Sequence, residues 1–348
     1  MNPYVLAILL SSLGLGTTLT FASSHWLLAW MGLEINTLAI IPLMAQQHHP
    51  RAVEATTKYF LTQATAAAMI LFAATTNAWM TGEWDINNMS HPIASTMTIT
   101  ALALKIGLAP MHFWLPEVLQ GLDLLTGLIL STWQKLAPFA LIIQIAPAID
   151  PAMLTSLGLL STLIGGWGGL NQTQIRKILA YSSIAHMGWM LIILQYSPQL
   201  TLLALGTYIF MTTTAFLALK MATTTKINTL TMMWSKTPIL VTTTALALLS
   251  LGGLPPLTGF LPKWLILQEM TKQELPLTAT IMALAALLSL YFYLRLCYAM
   301  ALTISPSTTN ATTPWRTQST QPTLVLATST TITLGLLPIA PAILTLTS

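Results

Sequence analysis

The sequence predicts an all-α membrane protein of about 11 transmembrane helices. Its 348 residues are 54% hydrophobic and only 6% charged, whereas soluble domains carry roughly 25% charged residues. The mean hydropathy of +0.72 agrees with this class. Apolar stretches of about 20 residues, the length that crosses a bilayer core, can be placed eleven times along the chain.

The predicted spans leave only short connections, so no separate soluble domain is expected. We place the spans at residues 3–21, 25–44, 58–79, 95–120, 125–146, 151–170, 174–194, 199–221, 238–270, 277–302 and 322–346. The fourth and the ninth are too long and too rich in proline to form single straight helices. Each internal proline removes a backbone donor and displaces a carbonyl.

The composition argues against a redox centre or a nucleotide site in this chain. The single cysteine, Cys297, can form neither an internal disulfide nor an iron–sulfur cluster, and the six histidines show no two-ligand helical spacing for haem or zinc. The glycine cluster at 165–169 lacks a strand–turn–helix context and favours close helix packing. A net charge of +4 from so few ionised groups argues against nucleic-acid binding. We therefore expect no cofactor, no metal and no nucleic-acid partner.

The charges in the connections predict the orientation of the chain. Connections after even-numbered spans are basic, with Arg51, Lys58, Arg176, Lys177, Lys220, Lys226, Lys236 and Arg316. Connections after odd-numbered spans hold one basic residue, Lys272, and the acids Glu83, Asp85, Asp150, Glu269 and Glu274. Basic loops stay on the side of synthesis. Because the span count is odd, the N-terminus is expected on that side and the C-terminus on the opposite side.

The four basic residues not placed in connections, Lys105, Lys135, Lys263 and Arg295, fall within the predicted spans, and among the acids Glu34 lies in the middle of a span. A charge at the bilayer centre costs about 2.5–3.5 kcal/mol even on a lenient scale, so such residues face a polar interior and often carry function. The alternative is structural ion pairing inside the bundle, and it applies in particular to Arg295. Lys135 has no acidic neighbour within one helical turn. This predicts that Lys135 lies on a hydrated polar axis between Lys105 and Lys263, connected through water.

Two similar phrases interrupt the fourth and the ninth spans, GLAPMHFWLPEV at 107–118 and GLPPLTGFLPKW at 253–264. Non-helical backbone at membrane depth occurs only where protein buries it or where it lines a water-filled cavity. Matched broken helices in two halves point to a transport site. Each break lies fourth in a unit of five spans, and since five is odd the two units have opposite topology.

The two matched breaks therefore predict a single transmembrane domain over 1–348 that contains an inverted repeat. The first five-helix unit covers about 1–147 and the second about 150–303. A final helix at about 321–347 stands outside the repeat.

Five motifs, in order along the chain, resemble the antiporter-like membrane subunits of respiratory complex I. They are GLEIN with Glu34, LALKIGLAPMHFWLPEV with Lys105, STWQKLAP with Lys135, NQTQIRKILAYSSIAHMGWM, and GGLPPLTGFLPKW with Lys263. The resemblance covers the whole chain. Members of this family outside animals have fourteen spans and an animal branch lacks the first three, in agreement with the eleven counted here.

The resemblance implies a proton-translocating subunit of the NADH:ubiquinone reductase complex, coupled to electron transfer from NADH to ubiquinone elsewhere in that complex. It implies that Glu34 and Lys105 form a pair on neighbouring spans, with Lys135 as the central relay. Lys263 would be the terminal group that exchanges with the outside or with the neighbouring subunit. Lysine suits such roles because burial and neighbouring carboxylates readily shift its protonation, whereas arginine keeps its proton.

Three further residues are secondary candidates, each with a structural alternative. His112, inside the first break, would connect Lys105 to Lys135, or else its ring bonds a freed backbone carbonyl. His186 lies among hydroxyl residues that would hold a water chain or hold helices together. Glu117 would be an entry-side carboxylate or the partner of a basic loop.

The resemblance also implies location and partners. The chain would lie in the mitochondrial inner membrane, with its N-terminus in the matrix and its C-terminus in the intermembrane space. The antiporter-like chain 4, the small chain 4L, accessory subunits and phospholipids including cardiolipin would be its neighbours, while FMN, iron–sulfur clusters, NADH and ubiquinone would belong to the parent complex. Two alternatives are a free-standing cation/proton antiporter and a purely structural membrane subunit.

Overall fold

The computed structural model describes residues 2–46, 49–303 and 323–347, and within this part of the chain the regular elements are helices without any β-strand. The basic connection residue Arg316 lies outside the described residues. The first half of the chain forms α1 (Pro3–Ala22), α2 (Trp26–Met44), α3 (Pro50–Thr81), α4 (Pro92–Ile106), α5 (Trp114–Gly121), α6 (Leu124–Ser131), α7 (Trp133–Ile145) and α8 (Pro151–Gly169). The second half forms α9 (Ile175–Ile193), α10 (Pro198–Met221), α11 (Ile227–Thr231), α12 (Met233–Lys236), α13 (Pro238–Gly252), α14 (Phe260–Lys272), α15 (Pro276–Ala301), α16 (Leu324–Gly335) and α17 (Ala340–Thr347).

The helices have the length and composition of membrane spans, which confirms the all-α membrane class. Six stretches among the described residues are long and apolar enough to cross a bilayer: α1, α2, α3, α10, α15 and the run Leu124–Ala148 that contains α6 and α7. Three shorter apolar helices are α4, α13 and α16. The count of eleven spans and the inverted repeat remain predictions.

The third predicted span begins earlier in the structure than the sequence indicated. α3 starts at Pro50, where a proline loses nothing because the first helical N–H has no intrahelical acceptor. The ring of His49 caps this end, since its Nδ1 accepts a hydrogen bond from the Arg51 N–H at 3.2 Å. Arg51 and Lys58 therefore belong to the first turns of α3 and not to a connection.

Two other predicted spans are interrupted. The span at 125–146 divides into α6 and α7 at Thr132, whose backbone angles (φ −112°, ψ −69°) depart from helical values. The span at 322–346 divides into α16 and α17 around a 3-10 turn at Leu337–Ile339. Pro338 and Pro341 explain the second interruption, because neither can donate the backbone hydrogen bond that a continuous helix requires.

The chain forms two compact units, residues 1–161 and 162–348. In the first unit α1 packs against α2, α3 packs against α4 and α5, and α7 packs against α1, α2 and α4. Gly16 and Gly32 bring α1 and α2 close together, since a Cβ at either glycine would lie within 2.9 Å of the other residue's carbonyl oxygen. This unit thereby encloses the end of α4 and the start of α7.

In the second unit α10 packs against α13, α14 and α16, and α15 packs against α13 and α14. The glycine cluster of α8 packs closely, as predicted: a Cβ at Gly165 would lie 2.7 Å from the backbone of Ala185, and one at Gly169 would lie 2.7 Å from the ring of Phe292. These glycines are packing residues, because any larger side chain would displace the neighbouring helix.

Many threonine hydroxyls form a hydrogen bond within their own helix. Thr98 donates to the carbonyl of Ser95 at 2.8 Å, Thr214 donates to that of Met211 at 2.7 Å, and Thr244 follows the same pattern. Ser and Thr can bond the carbonyl three or four residues earlier in a helix. A hydroxyl satisfied in this way can lie in an apolar environment without a partner on another helix.

Candidate functional site

The first predicted break is present between α4 and α5. α4 ends at Ile106, and Gly107 then adopts a left-handed conformation (φ 83°) that few side chains tolerate. The N–H groups of Gly107 and Leu108 both bond the carbonyl of Ala103, which closes the helix end. Residues 107–113 are non-helical, and α5 begins at Trp114.

Neutral side chains cover the carbonyls that this break releases. The indole N–H of Trp114 donates to the carbonyl of Leu104 at 3.0 Å. The side-chain amide of Gln63, on α3, donates to the carbonyl of Lys105 at 3.5 Å. The last carbonyls of a helix have no intrahelical donor. Gln63 supplies a donor to the Lys105 carbonyl, and Trp114 adds a second donor to the Leu104 carbonyl, which also accepts from the Gly107 N–H at 3.2 Å.

The second predicted break has the same backbone conformation as the first, but a charged side chain caps the end of its helix. α13 ends at Gly252, Gly253 is left-handed (φ 81°), and residues 253–259 are non-helical. The Nζ of Lys263, on α14, donates to the carbonyl of Gly252 at 2.8 Å and to that of Leu251 at 3.4 Å. The negative end of the α13 dipole therefore receives an ammonium group, an arrangement that stabilises both.

Lys105 and Lys135 line the same small polar cavity inside the first unit. Both residues are buried, with 6% and 3% of their surface exposed. The cavity has a volume of about 20 Å³, enough for about one water molecule. Its polar lining consists of Asn36, Thr37, Tyr59, Gln63, Lys105, Gln134 and Lys135. The Nζ of Lys105 has no hydrogen-bond partner among the described residues, and the cavity places two buried lysine side chains in polar surroundings.

Glu34 contacts one residue of the cavity lining, Thr37. Its carboxylate accepts a hydrogen bond from the Thr37 hydroxyl at 2.9 Å, and Thr37 lines the cavity. No salt bridge joins Glu34 and Lys105 in the part of the chain that the structure describes. The pair expected from the resemblance is therefore not in direct contact, and its coupling remains a prediction.

Lys135 lies in the first turn of a locally irregular helix. Thr132 interrupts the run just before it, and the Lys135 N–H bonds the Thr132 carbonyl at 3.3 Å. Pro138 follows inside α7 and cannot donate to the carbonyl of Gln134. The side chain of Gln134 donates to the carbonyl of Asn36 at 3.1 Å and so ties this turn to α2.

In the second unit His186 and Lys263 line a common cavity, which also has a volume of about 20 Å³. The His186 Nδ1 lies 2.7 Å from the carbonyl of Ser182. Because a carbonyl can only accept, this nitrogen donates and carries the hydrogen. The ring of Tyr208 lies 5.5 Å from that of His186. The hydroxyls of Ser182 and Ser183 bond carbonyls of their own helix, which fits the packing alternative for these serines.

The structure places the other two secondary candidates outside the lysine cavity. His112 is buried in the first break with its Nδ1 3.3 Å from the carbonyl of Pro110, in line with the alternative of a carbonyl-bonded ring. Glu117 forms an exposed salt bridge with Lys58 at 2.8 Å, and Lys58 also contacts Glu54 at 2.7 Å. Glu117 is thus the partner of a basic residue, although that residue belongs to α3.

Arg295 has a structural contact. Its Nη1 donates to the carbonyl of Leu170 at 2.7 Å, just beyond the end of α8. A cation at this position satisfies a free carbonyl and interacts favourably with the helix dipole. This geometry supports the structural alternative for Arg295.

Comparison with known proteins assigns the family. Residues 23–289 match the NADH:quinone oxidoreductase/Mrp antiporter transmembrane family, and residues 290–344 match the NADH dehydrogenase subunit 2 C-terminus family. NADH-ubiquinone oxidoreductase chain 2 of Carassius auratus is 81% identical over 348 residues, with both chains covered completely. The chain belongs to the NADH-ubiquinone oxidoreductase chain 2 family. The protein of that name from Danio rerio is 75% identical, again over the full length of both chains.

Solved structures carry the same fold. A chain of respiratory complex I from Thermus thermophilus is 29% identical, with a TM-score of 0.85 over 99% of this chain and 80% of that one. A chain of the Mrp complex from Dietzia sp. DQ12-45-1b is 16% identical, with a TM-score of 0.83 over 97% of this chain and 76% of that one. The second likeness concerns the fold alone.

Membership in the chain 2 family makes this chain a membrane subunit of NADH-ubiquinone oxidoreductase, respiratory complex I. At the level of the family it is a proton-pumping subunit. Its role in the enzyme is therefore proton translocation, and its place as a membrane subunit is consistent with cofactors carried by other subunits of the complex.

Sequence analysis missed the side-chain amides that line the cavity of Lys105 and Lys135. Asn36, Gln63 and Gln134 line the cavity between Lys105 and Lys135, yet only ionised residues were singled out. The signal was available in the sequence, because an amide inside an apolar span must also find polar partners. Applied to amides as well as charges, the same criterion selects all three.

Proposed function

We propose that Glu34, Lys105, Lys135 and Lys263 form the proton relay of this chain 2 subunit, with protons passing through the three lysines in that order. The observation that carries the proposal is the shared cavity in which buried Lys105 and Lys135 lie among amide and hydroxyl groups. Two ammonium groups in one low-dielectric cavity repel each other. Protonation of one lysine therefore favours deprotonation of the other, as a relay requires.

Glu34 would control the first step. Burial disfavours the charged form of a lysine, whereas a nearby carboxylate favours it. Since no direct ion pair holds Glu34 to Lys105 among the described residues, a small movement or neutralisation of the carboxylate changes the balance at Lys105. Thr37 bonds the Glu34 carboxylate and lines the cavity, so a movement of Glu34 would also displace a residue of the cavity lining.

Lys263 would be the terminal group, with His186 as its partner in the second unit. Both line one cavity, and Lys263 also lines an apolar groove of about 460 Å³ with Trp189, Phe260 and Trp264. The Gly252 carbonyl holds the ammonium at 2.8 Å. A carbonyl contact stabilises the charged lysine without fixing it in an ion pair, so the proton can still leave.

The setting of this relay follows from the family. We infer that the chain lies in the mitochondrial inner membrane, with its N-terminus in the matrix and its C-terminus in the intermembrane space. Chain 4, the small chain 4L, accessory subunits and phospholipids including cardiolipin are its proposed neighbours. NADH, FMN, the iron–sulfur clusters and ubiquinone act in other parts of the complex.

Replacement of Lys135 by Met tests the relay. Methionine is similar in length but carries no proton, so the assembled Lys135→Met complex should keep its redox groups and lose proton uptake per NADH oxidised in reconstituted vesicles. Lys135→Arg should not restore uptake fully, because arginine keeps its proton. Lys272→Met is the matched control, since Lys272 is 61% exposed and pairs only at the surface with Glu269.

A normal ratio of protons to NADH in the assembled Lys135→Met complex would reduce this lysine to a packing element. An equal loss in the Lys272→Met complex would show that the assay reports general damage and would remove the support for a specific relay.

A further inference from the structure

We infer that Asn36 positions the water molecule through which Lys105 and Lys135 exchange a proton. The inference rests on the relay proposed above and adds to it a residue that carries no charge. Asn36 lies on α2 and lines the cavity that contains both lysines.

The first observation is an amide without partners. Asn36 is 2% exposed, and neither its Nδ2 nor its Oδ1 has a hydrogen-bond partner among the described residues. A buried polar group left unsatisfied costs about 1–3 kcal/mol. Native proteins seldom retain such a group without a reason, and a bound water or a role in chemistry is the usual one.

The second observation is that the cavity suits a water. Its volume of about 20 Å³ exceeds the roughly 10–15 Å³ that one water needs, and a stable buried water also needs two to four polar partners. Besides the two lysines, the lining offers the amides of Asn36, Gln63 and Gln134. An asparagine amide both donates and accepts, so it can bond a water in either orientation as a proton passes.

The third observation is that α1 and α7 restrain Asn36. A Cβ at Gly16 would overlap the Oδ1 of Asn36, so this glycine leaves space for the amide and its backbone closes that side. Gln134 donates to the backbone carbonyl of Asn36 at 3.1 Å. Gln134 is the residue before Lys135, so this bond ties the backbone of Asn36 to the turn that carries the central lysine.

Three variants separate water positioning from packing. Asn36→Leu keeps the branched shape of asparagine but cannot bond water, whereas Asn36→Ser and Asn36→Ala leave room for an additional water. If Asn36 only packs, Leu should be tolerated best and Ala worst. If Asn36 positions water, Leu should slow proton uptake by roughly tenfold, the rate equivalent of one hydrogen bond to a charged group, and should lower the ratio of protons to NADH, while Ser should stay close to the native rate and ratio.

The readouts are the amount of assembled complex, the ratio of protons to NADH in vesicles, and the kinetic isotope effect in heavy water. Asn77→Leu is the matched control, because Asn77 is equally buried on α3 but bonds the Asn88 carbonyl at 3.2 Å and does not line the cavity. Should the Leu variant fail to assemble, Asn36→Val, with one heavy atom fewer, repeats the test.

A normal ratio in assembled Asn36→Leu or Asn36→Val complexes overturns the inference, and so does a Ser variant impaired as severely as Leu. Failure of the relay itself is recognised separately. In that case Lys135→Met pumps normally, whereas a wrong assignment of Asn36 leaves Lys135→Met inactive and the Asn36 variants unaffected.

Discussion

Gly253→Ala should disturb proton pumping because Gly253 leaves space for the folded-back side chain of Lys263. Gly253 has a φ of 81°, and a Cβ there would lie 2.9 Å from both Cδ and Nζ of Lys263. The left-handed conformation alone costs about 1–2 kcal/mol for a residue with a side chain. In addition the lysine must leave the Gly252 carbonyl, now 2.8 Å away.

A hydrogen bond to a charged group contributes about 1.5–3 kcal/mol, and 1.4 kcal/mol corresponds to a factor of about ten in an equilibrium. The population with Lys263 over the end of α13 should therefore fall by roughly ten- to a hundredfold. Gly82→Ala is the matched control. Gly82 ends α3 with a φ of 77°, yet no atom lies within 4 Å of a Cβ built there, so it shares the backbone cost without the displaced lysine.

The measurements are the amount of assembled complex on native gels and the ratio of protons pumped to NADH oxidised in vesicles. Both variants should lower the assembled amount slightly, and only Gly253→Ala should lower the ratio. Equal ratios in the two variants would refute the reasoning, because they would mean that the contact between Lys263 and the helix end has no part in pumping.

Three further outcomes are expected. Gly259→Ala should prevent assembly, because its Cβ would overlap a backbone carbonyl of α13, whereas Gly206→Ala should be tolerated since nothing lies within 4 Å of that position; native gels compare the two. Arg295→Met should shorten the lifetime of the complex at elevated temperature by removing the hydrogen bond to the Leu170 carbonyl, yet leave the ratio of protons to NADH unchanged. A cysteine replacing exposed Thr225 should react with an impermeant thiol reagent only from the matrix side; labelling from the intermembrane side in intact mitoplasts would reverse the proposed orientation.

Local rules were sufficient to predict the two broken helices. Gly107 and Gly253 each precede a proline-rich phrase, and glycine followed by proline ends a helix for reasons confined to a few residues. The structure interrupts the chain at both places. The interruption at Thr132 had no such signal, because threonine is compatible with a helix.

The partners of the charged residues were harder to predict than their burial. Burial of Lys105 and Lys135 and partial burial of Lys263 follow from apolar neighbours in sequence, which is local information. That Lys263 caps α13 while Trp114 and Gln63 cap α4 depends on which side chains of separate helices meet. The periodicity of apolar residues carries no information about which side chains of separate helices come into contact. For the same reason, the distance between Glu34 and Lys105 could not be predicted.

The threonine-rich helices have a consequence for the leakage of protons across the membrane. A hydroxyl whose hydrogen points to a carbonyl of its own helix is not free to pass that hydrogen to a neighbour, so the abundance of threonine adds polarity without adding conductance. Such helices would resist proton movement much as hydrocarbon does, although their composition is polar. The proton path proposed for the first unit then depends on a short set of amides and lysines around one cavity. A membrane that stores energy as a proton gradient needs this separation, because every additional open hydroxyl would be a route for protons to return without doing work.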